Sequence, residues 1–202
     1  MPKNNINKRR FEIFTDALIA IIMTILVLDL KVQPLEGATE SDLLKQLLRQ
    51  LPHFFGFVIS FALIAALWLD LHDLMEAIEK PTRVFAVINL FFIGAIATLP
   101  FSTAFAAEYP NMPLAVSVLA INMFIMNLFL GMMFLYSQKK NPVQSLRRSP
   151  REARIKKFMG ITGTFVFLGA AFIAYVSMTA AFILIAFVPI MHLIPIPKKF
   201  AE

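Results

Sequence analysis

An aspartate inside an apolar run is the first residue here whose chemistry needs explaining. Asp16 lies about one helical turn inside the stretch 12–32, and Thr24 stands near its middle. A carboxylate at that depth in a bilayer costs roughly 2.5 to 3.5 kcal/mol on insertion scales, so it must face protein or a water-filled path. A second polar group comes from the stretch 51–75, whose last third contains Trp68, Asp70, His72 and Asp73. Trp68 and His72 are four residues apart and share a helix face. The economical arrangement is one network in which Asp16, Arg10, His72 and the Trp68 indole N–H satisfy one another. It reads either as a packing clamp or as a gate whose opening responds to pH through His72. Arg10 and Asp16 are six residues apart on different helix faces, so a link between them crosses to another helix or subunit.

Catalytic chemistry is hard to assemble from the remaining residues. His53 and His72, roughly 28 Å apart along one helix, cannot share a metal or a triad within a subunit. His192, near the end of the last apolar stretch, is expected at the membrane interface. The sequence has no HExxH, no GxSxG and no phosphate loop, and no TVGYG-like segment from which a carbonyl filter could be built. With no cysteine, disulfides, thiolate metal sites and cysteine nucleophiles are excluded. Neither an enzyme, a metal site nor a cofactor is expected.

The elements that position these residues are membrane helices. Hydrophobic residues make up 58% of the chain and the mean hydropathy is +0.72, against about 45 to 50% apolar content in soluble domains. Stretches 12–32, 51–75, 83–107, 113–137 and 157–195 each reach the about 20 residues that a span needs. As one helix the last would measure roughly 58 Å against a hydrocarbon core of about 30 Å, so it must be split. A turn near 175–179 divides it into helices 157–175 and 179–195. The expected fold is thus an all-α membrane protein, a single six-helix transmembrane domain over residues 1–202.

Charge sets the orientation. Sixteen of the nineteen Lys and Arg residues fall on one side of the six-helix arrangement, and only Lys31, Lys45 and Arg49 on the other. By the positive-inside rule both termini are cytoplasmic. The net charge of +6 then calls for no nucleic acid, because the basic segments meet anionic lipid headgroups. Segment 147–157 reads as a topology signal on an amphipathic cytoplasmic stretch, with a specific lipid site as the sharper alternative. Residues 2–10 do not read as a cleaved signal, since the apolar run that follows is too long and lacks a small-x-small exit. In the external loop 33–50, Leu43, Leu44, Leu47, Leu48 and Leu51 at helical spacing suggest a short amphipathic helix, with Glu36, Glu40 and Asp42 making its outer part mildly cation-attracting. Gly160, Gly163 and the run Gly169, Ala170, Ala171 read as sites of close helix packing. Asn89, Asn122 and Asn127 read as interhelical glue, and Pro100, Pro189, Pro195 and Pro197 as kinks or helix ends.

Ile21, Thr24, Ile25 and Leu28 follow the i, i+3, i+4, i+7 pattern and share one face. Every face of a membrane helix is apolar, however, and Thr24 can bond its own helix carbonyls. Pattern alone therefore leaves both lipid contact and pore lining open.

Arg10 followed by Phe14, Thr15 and Asp16, then Ala20, Ile21, Thr24, Leu28 and Asp29, resembles the signature of the transmembrane protein 175 family, lysosomal potassium channels of animals and their shorter bacterial homologues. Ser60 and Phe61 leading to Trp68 and His72 resemble the family's second-helix pattern. The likeness covers essentially the whole chain, most specifically in the first helix. It implies a homotetramer with four copies of helix 1 around a central pore. It further implies a hydrophobic constriction at Ile21, Ile25 and Leu28, a polar layer at Thr24, and Arg10, Phe14 and Asp16 holding helix 1 to its neighbours. Two positions depart from the family pattern: Thr15 replaces the usual Ser, and Leu71 stands where the first of two histidines is common. The expectation is a potassium-preferring cation channel in a bacterial inner membrane, passing monovalent cations and contacting lipid. The rivals are a proton-coupled secondary transporter and a non-conducting membrane assembly protein.

Overall fold

A computed structural model describes residues 6–76, 78–140 and 150–193, with the side chains of 139–140 and 150–157 left aside. Several expectations fall outside the described residues: the basic side chains of 139–157, Lys3, Lys198 and Lys199, Pro195 and Pro197, and the end of the helix expected over 179–195. Among the described residues there are eight α-helices: α1 Lys8–Ile25, α2 Glu40–Arg49, α3 Leu51–Glu76, α4 Arg83–Ala97, α5 Leu99–Glu108, α6 Pro113–Lys140, α7 Pro150–Ile173 and α8 Met178–Leu193. Four stretches, 8–29, 51–76, 83–108 and 113–138, are long and apolar enough to cross a membrane; 158–173 and 178–193 are shorter apolar helices. This is a multi-pass membrane protein.

Helix boundaries follow local chemistry. Asn7 caps α1, its side-chain oxygen accepting from the Arg10 N–H at 3.2 Å. α6 and α7 begin at Pro113 and Pro150, where a missing N–H costs nothing. α2 follows Gly37, whose φ of +69° lies in the left-handed region. Its first turn is closed by Asp42, which accepts from the Thr39 hydroxyl at 2.6 Å and N–H at 3.2 Å. Those two bonds, the hydroxyl first, hold the Asp42 carboxyl below its ordinary range. The cap is therefore in place above the usual carboxylate pKa and is lost as pH falls through the lowered one.

Several boundaries differ from the sequence reading; α7, for one, begins at Pro150 and not near 157. The first span ends its α-helix at Ile25 and tightens into a 3-10 turn over Leu26–Asp29, so residues 30–32 are not helical. The span expected as one helix over 83–107 is broken at Thr98, between α4 and α5. Pro100 has no N–H for the Ile96 carbonyl, and α4 closes with the Thr98 N–H donating to the Gly94 carbonyl at 3.3 Å. The split in the last apolar run falls at residues 174–177.

α6 runs between α4 and α7, α3 lies on α5 and α8, and α1 sits at the edge of the bundle against α4 and α3. Fully buried Leu63, Ile64, Leu67, Phe85, Phe92, Met123 and Phe167 form the centre. Polar side chains bind these layers where lipid offers no hydrophobic drive. Ser60 meets Thr103 at 2.7 Å, Asn122 donates to Ser102 at 2.9 Å, and Asn89 donates to Thr15 at 2.9 Å. Among the described residues Asn127 bonds the Met123 carbonyl of its own helix, at 3.4 Å. Of the small residues singled out, Gly163 is in close contact with α8, whereas Gly160 and Gly169 face open space. Gly56 is the other tight position: a Cβ there would lie 3.0 Å from Thr103 Cγ2. We predict that Gly56→Leu forces α3 off α5, at a cost of about 1 to 3 kcal/mol. Thermal unfolding in detergent should show a lower Tm for that variant and little change for Gly169→Leu.

Candidate functional site

The candidate site is one face of α1. Phe11, Thr15, Ile19, Ile22 and Leu26 are buried against the bundle, at the three-and-four spacing of a helix stripe. The opposite side carries all four residues of the expected lining. Ile21 is 54% exposed and Leu28 65%, and Thr24 and Ile25 are exposed between them. The 3-10 turn matters here, because i and i+3 side chains eclipse in that geometry, which keeps Leu28 stacked over Ile25. Thr24 Oγ1 donates to the Ile21 carbonyl at 2.7 Å. Its proton is thereby committed to the helix, and the hydroxyl lone pairs remain for an outside donor or cation.

What fixes that face is a pair of carboxylates. Near the α1 entry, Asp16 accepts from the Trp68 indole N–H at 2.9 Å. At the far end, Asp29 meets His53 Nδ1 at 2.9 Å, and Glu108 approaches His53 Nε2 at 3.5 Å. Asp16 to Asp29 is roughly 22 Å along the α-helix and its 3-10 end, and Trp68 back to His53 is also roughly 22 Å. Two antiparallel helices thus meet at two matched points. Thr15, on the buried side, adds the bond from Asn89 on α4.

Other expected members of the network stand apart. His72 stacks on Trp68 with ring centroids 5.6 Å apart, but its Nε2 faces Glu76 at 3.5 Å. It lies one turn beyond the indole and so meets its own i+4 neighbour in place of Asp16. Arg10 and Phe14 are exposed, and no hydrogen bond or ion pair joins Arg10 to Asp16, Trp68 or His72 among the described residues, since the six-residue offset turns it away. His192 points into the bundle: its side chain is 3% exposed and its Nδ1 lies 2.7 Å from Asp70 Oδ2. Packing of α8 on α3 buries it.

Sequence reasoning missed Asp29, His53 and Glu108 as a group. A signal was there, in the nearly equal reversed spacings of Asp16 to Asp29 and of His53 to Trp68. Asp29 and Glu108 lie on opposite nitrogens of one imidazole and so cannot converge on a single ion. Among the described residues no group of three or more His, Asp or Glu side chains is placed to hold a metal.

Comparison with known proteins agrees with this architecture. Residues 10–100, which contain both anchors on α1 and their α3 partners, match the family described as "Endosomal/lysosomal potassium channel TMEM175". A potassium channel of Streptomyces collinus is 27% identical over 197 residues, covering 94% of this chain and 95% of that protein. A potassium channel of Chamaesiphon minutus is 32% identical over 114 residues, 55% of this chain and 56% of that protein. The crystal structure of a lysosomal potassium-selective channel TMEM175 homolog from Chamaesiphon minutus shares the fold, with a TM-score of 0.80 at 23% identity over 92% of this chain and 95% of that one. The chain is thus similar to the transmembrane protein 175 family over residues 10–100, and to a named potassium channel over nearly its whole length.

Proposed function

We propose that this protein is a potassium-preferring cation channel in which four copies of α1 surround the ion path. The observation that carries the proposal is the bare apolar face of α1, directed away from the bundle by anchors at both ends. Four such faces about an axis would give successive rings of Ile21, Ile25 and Leu28. The relatives named as potassium channels support the reading. In this arrangement Arg10 and Phe14, exposed on the isolated subunit, find partners on the adjacent copy. Six spans per subunit with both termini cytoplasmic, in a bacterial inner membrane, complete the proposal.

The physics of such a pore is dehydration. Apolar rings a few ångströms wide close by dewetting. They also favour potassium over sodium, because stripping water costs less for the larger, more weakly hydrated ion. There are no replacement carbonyl ligands in this scheme, so the preference is modest. The Thr24 layer offsets part of the cost through lone pairs that its bond to Ile21 leaves unengaged.

Two variants test the rings. Ile21→Asn should wet the constriction, raising cation flux in liposomes and eroding ion preference; unchanged flux and preference would remove Ile21 from the path. Thr24→Val keeps the shape and removes the oxygen. It should lower the potassium-to-sodium flux ratio while leaving the assembly intact on size exclusion, and an unaltered ratio would show that this hydroxyl does not meet the ion.

A further inference from the structure

A cavity of about 260 Å³ lies between α3, α6, α7 and α8, with no α1 residue in its wall. Its lining is mostly carbon; the polar side chains are Asp70, Asn127 and His192, together with Thr164, whose hydroxyl donates to the Gly160 carbonyl at 2.8 Å. Leu128, Leu135, Ile161 and Phe165 at its rim are exposed apolar side chains, so it opens toward hydrocarbon. One polar atom in this wall is unaccounted for. His192 Nδ1 is engaged by Asp70 at 2.7 Å, while His192 Nε2 is buried with no hydrogen-bond partner among the described residues. Gly163 makes the room at this atom: a Cβ there would lie 3.3 Å from Nε2 and 3.5 Å from Asn127 Oδ1.

Leaving a buried ring nitrogen unpaired is costly, and what would repair it is constrained. With Nδ1 committed to Asp70, Nε2 is a bare acceptor on the neutral ring and a second donor on the protonated one. A carbonyl suits only the protonated ring and an ammonium only the neutral ring. A hydroxyl suits both. Water has few polar partners in a wall so poor in them, whereas an amphiphile also fills the apolar space. A cavity of about 150 Å³ holds benzene, so this one has room for a medium-length alkyl chain.

We propose that this cavity binds a membrane-dissolved alcohol, a molecule with a single hydroxyl on an apolar chain, through His192 Nε2, the chain lying along α6 and α7. The site stands independently of the pore.

Photolabelling of the purified protein in liposomes, with a diazirine-bearing octanol and the matching diazirine-bearing octane, tests it. The octanol probe should modify peptides covering 128–135 or 160–165 saturably, and unlabelled octanol should protect about tenfold better than octane, as one hydrogen bond implies. Gly131→Leu places a side chain in open space at the cavity wall and should abolish labelling there in a folded protein. His192→Phe should leave residual labelling but remove the advantage of octanol. Equal protection by octane would overturn the proposal, leaving an apolar void without recognition. Labelling that survives Gly131→Leu, or no labelling of these peptides, would overturn it as well. Should His192→Phe not fold, the wild-type comparison and Gly131→Leu still decide.

Discussion

Two carboxylates on one side of an edge helix are the constraint on which the rest of this structure depends. Asp16 and Asp29 cannot face lipid, and each finds a partner on α3, an indole N–H in one case and an imidazole in the other. A single anchor would leave α1 free to roll. Two, spaced nearly alike on antiparallel helices, fix both rotation and register. With the Thr15–Asn89 bond on the buried side, they leave Ile21, Thr24, Ile25 and Leu28 exposed. The exposed stripe is thus a consequence of where the polar groups must go, and hydropathy contributes nothing to its choice.

Polar side chains serve two ends in the bundle. Ser60 joins Thr103 beside the close approach of α3 and α5 at Gly56, and Asn122 joins α6 to Ser102 on α5. Bonds of this kind are worth only about 0.6 to 1.7 kcal/mol each in membrane proteins, so they set geometry more than they set stability. The pairs at Asp29–His53 and Asp70–His192 are different, being partly or largely shielded and placed where α3 meets α1 and α8. α3 is therefore the frame to which both the candidate pore helix and the last helix are tied.

Much of this was legible in the sequence, and the limits have physical causes. Long apolar stretches announced the helices, and Asp16 with Trp68 could be paired because both are intrusions at matching depth. The break at Thr98 was harder, since Pro100 kinks some membrane helices and ends others according to what can take the freed carbonyl. Asp70 and His192 are separated by 122 residues, and only the packing of α8 on α3 joins them. Nor could the exposed face of α1 be chosen by hydropathy, because on a membrane helix Ile19, buried, and Ile21, exposed, score alike. The family resemblance singled out Ile21, and the bonds to α3 accompany an α1 orientation that leaves it exposed.

The most direct test of convergence of four α1 faces on the ion path exploits the absence of native cysteine. Leu28→Cys would place four thiols around the axis, and Cd²⁺ binds clustered thiolates. Potassium flux through liposomes bearing Leu28→Cys should be blocked by Cd²⁺ and restored by a chelator, while wild-type flux stays insensitive. Flux that ignores Cd²⁺, from a variant whose thiol reacts freely with a lipid-soluble maleimide, would place this face against the bilayer and contradict the account.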